Sequence, residues 1–343
     1  MERGKREAPR ATRKRRRSTG RLRRVLLSLA LCCAAVFVVY QVWHNVSKPR
    51  QTEREEPVET EEEKKPVDTE PVESNPRRKD CYTFLLAASD QSSGNADVII
   101  AVTYDIAAQK VGAVSIPRDT LVDPDHLANY PKINSSYTAG VDRLEAVVSY
   151  MLGIPFDYYV TVDVQGFVEL VDAVDGVEFD VPAHMRYSDP KQELYISFEP
   201  GVQHLDGEEA LKVCRIRQND DGTVLYGDYD IGRTRTQQQM LLTIAKKVLA
   251  NPQKVADYLK IFREYVDTDL SVSEMLWFVE PVLKLDLQNV ETATFSGDGA
   301  TTYQGISWCY ELDPAAALET VNAYLNPYEK PMTAEDLNIF QAP

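Results

Sequence analysis

Histidine is scarce in this chain of 343 residues, which contains only four: His44, His126, His184 and His204. The chain also has no Cys-x-x-Cys pair, no internal repeat and no glycine-rich loop of the P-loop or dinucleotide-binding type. Zinc sites and catalytic triads rely on clustered histidine, cysteine and acidic residues. The composition therefore disfavours a zinc enzyme and a histidine-based nucleophilic mechanism.

The five cysteines do not define a disulfide framework by their number or spacing. Cys32 and Cys33 lie in an apolar segment, whereas Cys81, Cys214 and Cys309 form an odd set in the remainder of the chain. A Cys81–Cys309 disulfide is a pairing that the sequence neither requires nor forbids.

Charged residues are absent from Val25 to Ser47, a run of 23 residues directly preceded by a basic tail. A helix of that length measures about 35 Å, enough to cross the roughly 30 Å core of a bilayer. Residues 1–24 hold twelve basic and two acidic side chains, so they should stay on the cytoplasmic side. The sequence predicts a cytoplasmic tail over 1–24, a helix crossing the cell membrane once over 25–47, and an extracytoplasmic remainder.

A cleaved signal peptide is the alternative interpretation of this apolar segment. Its apolar region would ordinarily be shorter, and no convincing A-x-A cleavage site follows it. A lipoprotein anchor is disfavoured because Leu31 precedes Cys32, where a small residue is expected. A buried core helix does not fit a segment that directly adjoins a polybasic run.

Residues 48–80 are rich in Glu, Lys and Pro and contain almost no large apolar side chain. Such a segment buries too little surface to offset its conformational entropy, so we expect a disordered linker with a reach of about 30 Å. The remaining residues, 81–343, have the length of one domain. The whole chain has a net charge of −15 and residues 1–24 have a charge of +10, so the rest of the chain carries −25. This negative charge argues against nucleic-acid binding.

Strand and helix patterns are interspersed through 81–343. Strands are predicted over 82–88, 97–104, 110–116, 157–163, 177–181, 194–198 and 290–295. Helices are predicted over 141–152, 164–173, 207–217, 232–250, 253–264, 271–283 and 314–325. This order predicts an α/β fold in which helices sandwich a mixed central sheet. Four aromatic residues beyond position 250 are assigned to the core: Trp277, Phe278, Trp308 and Tyr310.

Charged residues end several of the apolar runs. Asp90 follows the first strand and Asp97 opens the second, an arrangement that suits a hard cation such as Mg²⁺. Arg118 follows the third strand within Ser-Ile-Pro-Arg-Asp, where an arginine can bind phosphate oxygens with two parallel hydrogen bonds. Taken singly, these residues have ordinary interpretations as turn formers or as a weak surface ion pair.

Three further segments add basic and amide groups. Lys132 offers a point charge in a polar loop, and Arg215 and Arg217 lie near the end of a predicted helix, where the helix dipole also favours cations. Arg233 and Gln237 share one face at the start of the next helix, close to amide groups suited to an anion. Each segment alone is also compatible with a solvated polar surface.

In this order and spacing, the segments together resemble the LytR-CpsA-Psr family. Domains of that family carry S-D and a second Asp, then S-I-P-R-D, K-I-N, D-A-x-G-G-V, L-x-G-x-x-A-L-x-x-x-R-x-R and D-x-G-R-x-x-R-Q. The corresponding residues here are Ser89-Asp90, Asp97, 115–119, 132–134, 172–177, 205–217 and 230–237. The match covers 82–250, about half of the chain.

Four positions depart from the family pattern. Ser92 and Asn95 stand where the family often has arginine, Asp175 replaces the first glycine of the Gly-Gly pair, and Thr236 replaces the second arginine of the last motif. The resemblance therefore implies a diphosphate cradle with fewer cations than is typical. A divergent substrate, weaker metal dependence or reduced activity would follow from it.

The resemblance implies a phosphotransferase that moves a glycopolymer, such as teichoic acid or capsule, from a polyprenyl-diphosphate carrier to peptidoglycan. It assigns Asp90 and Asp97 to the binding of Mg²⁺ or Mn²⁺. The catalytic residues that it implies are Asp97, as the candidate base, together with Arg118 and Arg233. The diphosphate would be bound by Arg118, Arg215, Arg217 and Arg233, and oriented by Lys132 and Gln237. Such a reaction needs charge neutralisation more than covalent catalysis.

Two other functions are compatible with the same residues. A non-catalytic regulatory module would keep the fold and hold lipid-linked polymer, which the losses at Ser92 and Asn95 would suit. A phosphohydrolase would act on polyprenyl diphosphate with water as the acceptor. Dependence of the main product on a wall sugar separates the transferase from the hydrolase.

Overall fold

The computed structural model describes residues 48–53, 75–89, 94–123, 130–190, 194–225 and 230–343. The predicted basic tail 1–24, the predicted membrane helix 25–47 and the middle of the predicted linker lie outside these residues. Within the described ranges, no helix has both the length and the apolar character needed to cross a membrane.

The strands of the described chain are β1 (Cys81–Ser89), β2 (Ala96–Asp105), β3 (Lys110–Ser115), β4 (Tyr158–Asp163), β5 (Val177–Val181), β6 (Met185–Asp189), β7 (Leu194–Phe198), β8 (Gly201–Leu205), β9 (Val266–Thr268), β10 (Val290–Thr294), β11 (Gly297–Tyr303) and β12 (Ile306–Leu312). The helices are α1 (Val141–Leu152), α2 (Val164–Ala173), α3 (Gly207–Arg215), α4 (Asp230–Ala250), α5 (Val255–Tyr265), α6 (Val272–Lys284) and α7 (Pro314–Thr320).

The central sheet is mixed, as predicted, and has six strands in the order β10-β3-β2-β1-β4-β9. The hairpins β1–β2 and β2–β3 are antiparallel, whereas β4 pairs parallel to β1 and β10 pairs parallel to β3. The register places Ser89 opposite Asp163 and Ile100 opposite Ser115. The final residues of β1, β3 and β4 therefore lie along one edge of the sheet, next to the start of β2.

Helices cover both faces of this sheet because its strands alternate between two apolar cores. On β1, Leu85 and Ala87 pack with α1 and α7. Tyr82 and Phe84 point the other way, toward α6, where the Tyr82 ring lies 5.1 Å from the Phe278 ring in an edge-on contact. We call these two sides the α1/α7 face and the α6 face.

A third apolar core joins the helices that carry the basic motifs. It unites side chains of α2, α3 and α4 with the strands β5, β7 and β8, through residues such as Val171, Phe179, Val213 and Met240. Asp206 begins α3 with a capping box. Its carboxylate accepts from the backbone amide of Glu209 at 2.8 Å, and the Glu209 carboxylate accepts from the backbone amide of Asp206. This core packs α3 against the middle of α4, through residues such as Val213 and Met240.

The sequence did not predict five of the strands that the structure describes. They are short or rich in polar residues and glycine: β6, β8, β9, β11 and β12. The helix predicted over 207–217 ends at Arg215, since Ile216 is extended. The helix predicted over 314–325 is an α-helix to Thr320 and continues as a π-helical turn over Val321–Leu325.

The expectation of a disordered linker over 48–80 is wrong at both of its ends. Arg50 donates from its amide to Tyr158 Oη at 2.9 Å, and Thr52 donates to the Asp157 carboxylate. Arg77 forms a salt bridge with the same carboxylate, and both side chains are almost fully buried, at 8% and 0% exposure. A few polar contacts with one buried acid thus hold the two ends of a segment that has almost no large apolar side chain with which to pack.

The disulfide that the sequence left open is not formed. Cys81, Cys214 and Cys309 are free thiols, and all three are buried. Burial raises the pKa of the Cys81 thiol to about 11, so it is neutral and unreactive at physiological pH.

Arg77→Ala should destabilise the protein by about 3–5 kcal/mol, because it leaves a buried carboxylate without its cation. The comparison is urea unfolding of the full chain in detergent. Lys79→Ala removes an exposed cation two residues away and serves as the control. Equal stability of the two variants would show that Asp157 does not depend on Arg77.

A second expected outcome concerns pH. Burial, with repulsion from Asp269 and Asp142, raises the pKa of Glu145 from its ordinary 4.5 to about 7. An acid with a raised pKa in the folded state binds more protons folded than unfolded, so its stabilising contribution is present below pH 4.5 and is lost as pH rises to about 7. Glu145→Gln should therefore raise the melting temperature at the upper end of this interval more than at the lower end. Glu319→Gln, at an exposed position, is the control, and an equal effect at both ends would contradict the assignment.

Candidate functional site

Polar and charged side chains converge where the central strands end. Asp97 is the second residue of β2, and Arg118 follows β3 by three residues. Asp163, the last residue of β4, begins α2 by accepting from the Gln165 amide at 2.7 Å. Asp90, the predicted partner of Asp97 in metal binding, lies outside the described residues, so its role stays a prediction.

Arg118 and Asp97 form an ion pair at this edge through Nη1 and Oδ1. Both side chains are partly exposed, at 24% and 41% respectively. The Arg118 Nε atom is buried and makes no hydrogen bond, and Asp119 Oδ2 lies 3.7 Å from it. The guanidinium therefore lies between two carboxylates, and the exposed part of the side chain is the part that is open to an anion.

The loop that carries Arg118 is held by Asp119 and Lys132. Lys132 Nζ lies 3.1 Å from Asp119 Oδ1 and donates to the backbone oxygen of Trp308 at 2.9 Å. The Asn134 amide donates to the Arg118 carbonyl at 3.1 Å. The two predicted motifs around Arg118 and Lys132 are therefore in direct contact, and the ammonium of Lys132 holds the loop together.

The start of α4 is joined to the same sheet edge by Gln238. Its Nε2 donates to Ser115 Oγ at 2.9 Å and to the Ala293 carbonyl at 2.7 Å. Gln237, the residue that the sequence favoured, instead donates to the Cys214 carbonyl at 3.1 Å, near the end of α3. The adjacent glutamines thus connect α4 to β3 and β10 on one side and to α3 on the other.

Arg233 is buried within this junction, with 6% of its surface exposed. Burial raises the pKa of the Cys214 thiol to about 12, and the nearby Arg233 charge opposes that rise. Arg215 and Arg217 are exposed on either side of buried Ile216. The structure therefore places Arg118 with Asp97, Asp119 and Lys132, and it places Arg233 with Gln237 at the α3–α4 junction, while Arg215 and Arg217 lie at the surface beside that junction.

Few side chains near this edge could serve as ligands of a metal ion. Across the described ranges, no cluster of three or more His, Cys, Asp or Glu side chains could hold a metal ion. Mg²⁺ needs less than that, because it commonly uses one or two carboxylates and takes its other ligands from phosphates and water. The partly exposed Asp97 carboxylate meets this minimum, so the residues present fit a Mg²⁺ that arrives with a phosphate substrate.

One departure from the family pattern has a structural explanation. Asp175 adopts a left-handed backbone with φ of 61°, which aspartate tolerates better than most residues. Its carboxylate accepts from Lys254 Nζ at 2.7 Å, and this contact lowers the pKa of Asp175. Gly176, which follows with φ of 69°, has no room for a Cβ against the His204 ring. The Asp175 substitution is therefore accommodated at a turn and paired locally.

Sequence reasoning missed three residues of this region. Asp119 and Gln238 make the contacts described above, and Asp119 lay within a recognised motif without a role. Trp308 was assigned to the core, but its side chain is 73% exposed, so that prediction is wrong. The same assignment is confirmed for Trp277, Phe278 and Tyr310, which are buried. Hydrophobicity alone gave no signal that separated Trp308 from the others.

The fold and this edge define a class: an α/β/α domain with a mixed sheet and a group of arginines beside a carboxylate where the central strands end. The chain belongs to the LytR_cpsA_psr family, whose sequence profile matches residues 38–324. That match extends well beyond the 82–250 covered by the motifs.

Relatives and solved structures agree with this membership. The chain is 29% identical over 289 residues to polyisoprenyl-teichoic acid–peptidoglycan teichoic acid transferase TagU of Bacillus mycoides, covering 82% of this chain and 89% of that protein. It is 32% identical over 248 residues to the transferase TagV of Bacillus subtilis, covering 70% and 61%. The crystal structure of B. subtilis TagV matches with a TM-score of 0.59 and 26% identity over 71% of this chain and 95% of that one. A structure of TagT bound to LI-WTA shares the fold, with a TM-score of 0.55 and 22% identity over 72% and 90%.

Gln238→Leu should cost about 1–3 kcal/mol of stability, because it leaves the buried Ser115 hydroxyl and the Ala293 carbonyl without their donor. Chemical unfolding of the full chain measures the loss. The neighbouring Gln239→Leu, at an exposed position, is the matched control and should be close to neutral. Equal stability of the two variants would show that Gln238 does not fix α4 to the sheet.

Proposed function

We propose that this protein transfers a teichoic acid-like glycopolymer from a polyprenyl-diphosphate carrier onto peptidoglycan. The observation that carries the proposal is the partly exposed Arg118–Asp97 pair at the sheet edge of a LytR_cpsA_psr family member. Relatives that align with most of the chain are named teichoic acid transferases. Capsular polymer is the other donor that the family resemblance allows.

In the proposed reaction, a sugar hydroxyl of peptidoglycan attacks the phosphorus that bears the glycopolymer. A new P–O bond forms to the wall sugar, the P–O bond between the two phosphates breaks, and polyprenyl phosphate leaves. The hydroxyl proton passes to the Asp97 carboxylate, which lies at the sheet edge within reach of Arg118. Charge accumulates on the transferred phosphoryl oxygens and on the leaving phosphate as this exchange proceeds.

The arginines neutralise that charge. Arg118 would bind one phosphate through the Nη1 that now contacts Asp97, while Arg233 would add positive charge from the α4 side. Exposed Arg215 and Arg217 would receive the outer oxygens of the diphosphate. Asp119 and Lys132 act indirectly, because they fix the loop that aims Arg118.

A divalent cation, Mg²⁺ or Mn²⁺, is part of the proposal. Asp97 would hold it together with substrate oxygens, and Asp90 is the second predicted ligand. When bound, the cation would neutralise charge on the diphosphate and favour departure of polyprenyl phosphate. The Arg118–Asp97 ion pair would then open, with the arginine turning to phosphate and the carboxylate to the cation and acceptor.

We further propose that the protein is anchored in the cell membrane by residues 25–47, with its folded domain outside. The proposal is supported by the uncharged run that follows a basic tail. Only Lys48 and Pro49 separate that run from Arg50, which is bonded to Tyr158 and Asp157. Such an anchor would keep the domain at the membrane surface, where a lipid-linked donor resides.

The decisive experiment incubates the full chain in detergent with a polyprenyl-diphosphate-linked sugar, with and without Mg²⁺ and peptidoglycan fragments. We expect Mg²⁺-dependent release of polyprenyl phosphate coupled to labelling of peptidoglycan. Asp97→Ala and Arg118→Ala should each lower the rate about 100-fold or more, because each removes charge stabilisation from the transition state. Arg263→Ala, which removes an exposed arginine on α5, is the control.

The three functions compatible with the residues give different outcomes. Release without any need for peptidoglycan would identify a phosphohydrolase. Binding of the lipid without release, in a protein that unfolds cooperatively, would identify a non-catalytic module. The retained Asp97 and Arg118 pair favours the transferase over that module.

A further inference from the structure

Trp308 lies on the surface beside the proposed site. Its side chain is 73% exposed, although it is the largest apolar side chain of the β11–β12 hairpin. Burying such a ring in the core would be favourable, so its exposure has a cost in solvation that the fold alone does not explain.

The backbone of Trp308 is also strained. Its φ of 60° is in the left-handed region, which bulky residues rarely adopt and which persists only where surrounding contacts enforce it. Those contacts come from the proposed site. Lys132 Nζ donates to the Trp308 carbonyl at 2.9 Å, and the Tyr310 amide donates to the Asp119 carbonyl at 2.8 Å. The backbone that carries the exposed indole is thus bonded to the loop that carries Arg118.

The position of Trp308 indicates which substrate it would meet. β12 packs on the α1/α7 face through Tyr310 and Leu312. Asp97, the proposed base, is paired with Arg118, and the neighbouring Asp119 is bonded to Tyr310 and Lys132. Asp97 and Trp308 therefore flank the same loop.

The helix α4, which carries Arg233, lies on the opposite face of the central sheet from β12. Val114 belongs to the α1/α7 core, so the adjacent Ser115 points toward the α6 face, where Gln238 of α4 bonds its hydroxyl at 2.9 Å. Arg233 is on the same helix, five residues before Gln238. In phosphoryl transfer, the attacking and leaving oxygens lie roughly in line on opposite sides of phosphorus. With the diphosphate held toward α4, the acceptor approaches from the side of Asp97 and Trp308.

We propose that Trp308 is the stacking platform for a pyranose ring of the acceptor glycan. An indole offers a broad apolar face, which matches the C–H face of a sugar while the sugar hydroxyls stay solvated or bonded nearby. Tyr130, 43% exposed and two residues before Lys132, is a second aromatic on the adjoining segment. This inference rests on the proposed function, because it assigns the acceptor side of the same site.

The test uses steady-state kinetics of the full chain in detergent, with donor and peptidoglycan fragments varied in turn. Trp308→Ala should raise the KM for the acceptor about tenfold or more, from the loss of buried apolar area and ring contact, with a smaller effect on kcat. Trp308→Phe should recover part of the loss because it restores an aromatic face. Tyr195→Ala removes another exposed aromatic side chain, on β7, and is the control. The melting temperature should not fall in Trp308→Ala, since the side chain is exposed.

A rise in the donor KM with no change in the acceptor KM would overturn the proposal and assign Trp308 to the donor glycan. Unchanged constants for both substrates would also overturn it. If wild type transfers nothing, the proposed function fails, and direct titration still decides the inference. Peptidoglycan glycan fragments should then shift the tryptophan fluorescence of wild type but not of Trp308→Phe. Equal fluorescence shifts in wild type and Trp308→Phe would overturn the proposal for Trp308.

Discussion

The site depends on one short loop, the residues that leave β3 and end in Arg118 and Asp119. Two separate parts of the chain hold this loop. Lys132 bonds the Asp119 carboxylate, Tyr310 bonds its carbonyl, and Asn134 bonds the carbonyl of Arg118. Because these contacts come from both a neighbouring loop and a distant hairpin, the position of Arg118 is set by tertiary structure. A guanidinium placed in this way loses little freedom when an anion binds, which is the condition for effective electrostatic catalysis.

Electrostatics imposes a second constraint. Residues after position 24 carry a formal charge of −25, and the proposed donor is itself a polyanion. Long-range attraction therefore cannot bring donor and domain together, and binding has to come from short-range contacts at the few cations of the sheet edge. A membrane tether would offset the weak steering by confining donor and domain to the same surface. The buried position of Arg233 fits this arrangement, because a cation shielded from water interacts more strongly with a nearby phosphate.

The sequence was sufficient for the parts of the fold that local pattern controls. The strands β1 to β4 and the helices α1 to α7 follow from short apolar runs and helical spacing, because most of these elements bury apolar side chains. The hairpins β6–β7 and β11–β12 were incomplete or missing, since their sequences are polar or glycine-rich and pairing with a partner strand stabilises them. The docking of Arg50 and Arg77 was missed for a similar reason. Their partner Asp157 is more than seventy positions away in the sequence, and composition alone predicted disorder.

For the site too, local sequence pattern predicted some features, and others depend on tertiary structure. Motif order selected Asp97, Arg118 and Lys132, which do lie close together at the sheet edge. It could not tell Gln237 from Gln238, because helix phase relative to the sheet is a tertiary property. Nor could it tell an exposed tryptophan from a buried one.

The Arg118–Asp97 ion pair explains how the site exists without a substrate. An arginine and a carboxylate that face each other satisfy both charges at little cost while they remain partly hydrated. In the proposed reaction, a diphosphate that arrived with a cation would replace each partner by a stronger one, phosphate for the arginine and metal for the carboxylate. Either component alone would leave one of the two charges uncompensated. The pair would therefore favour joint binding of donor and cation, and it would keep the proposed base next to the arginine until both had arrived.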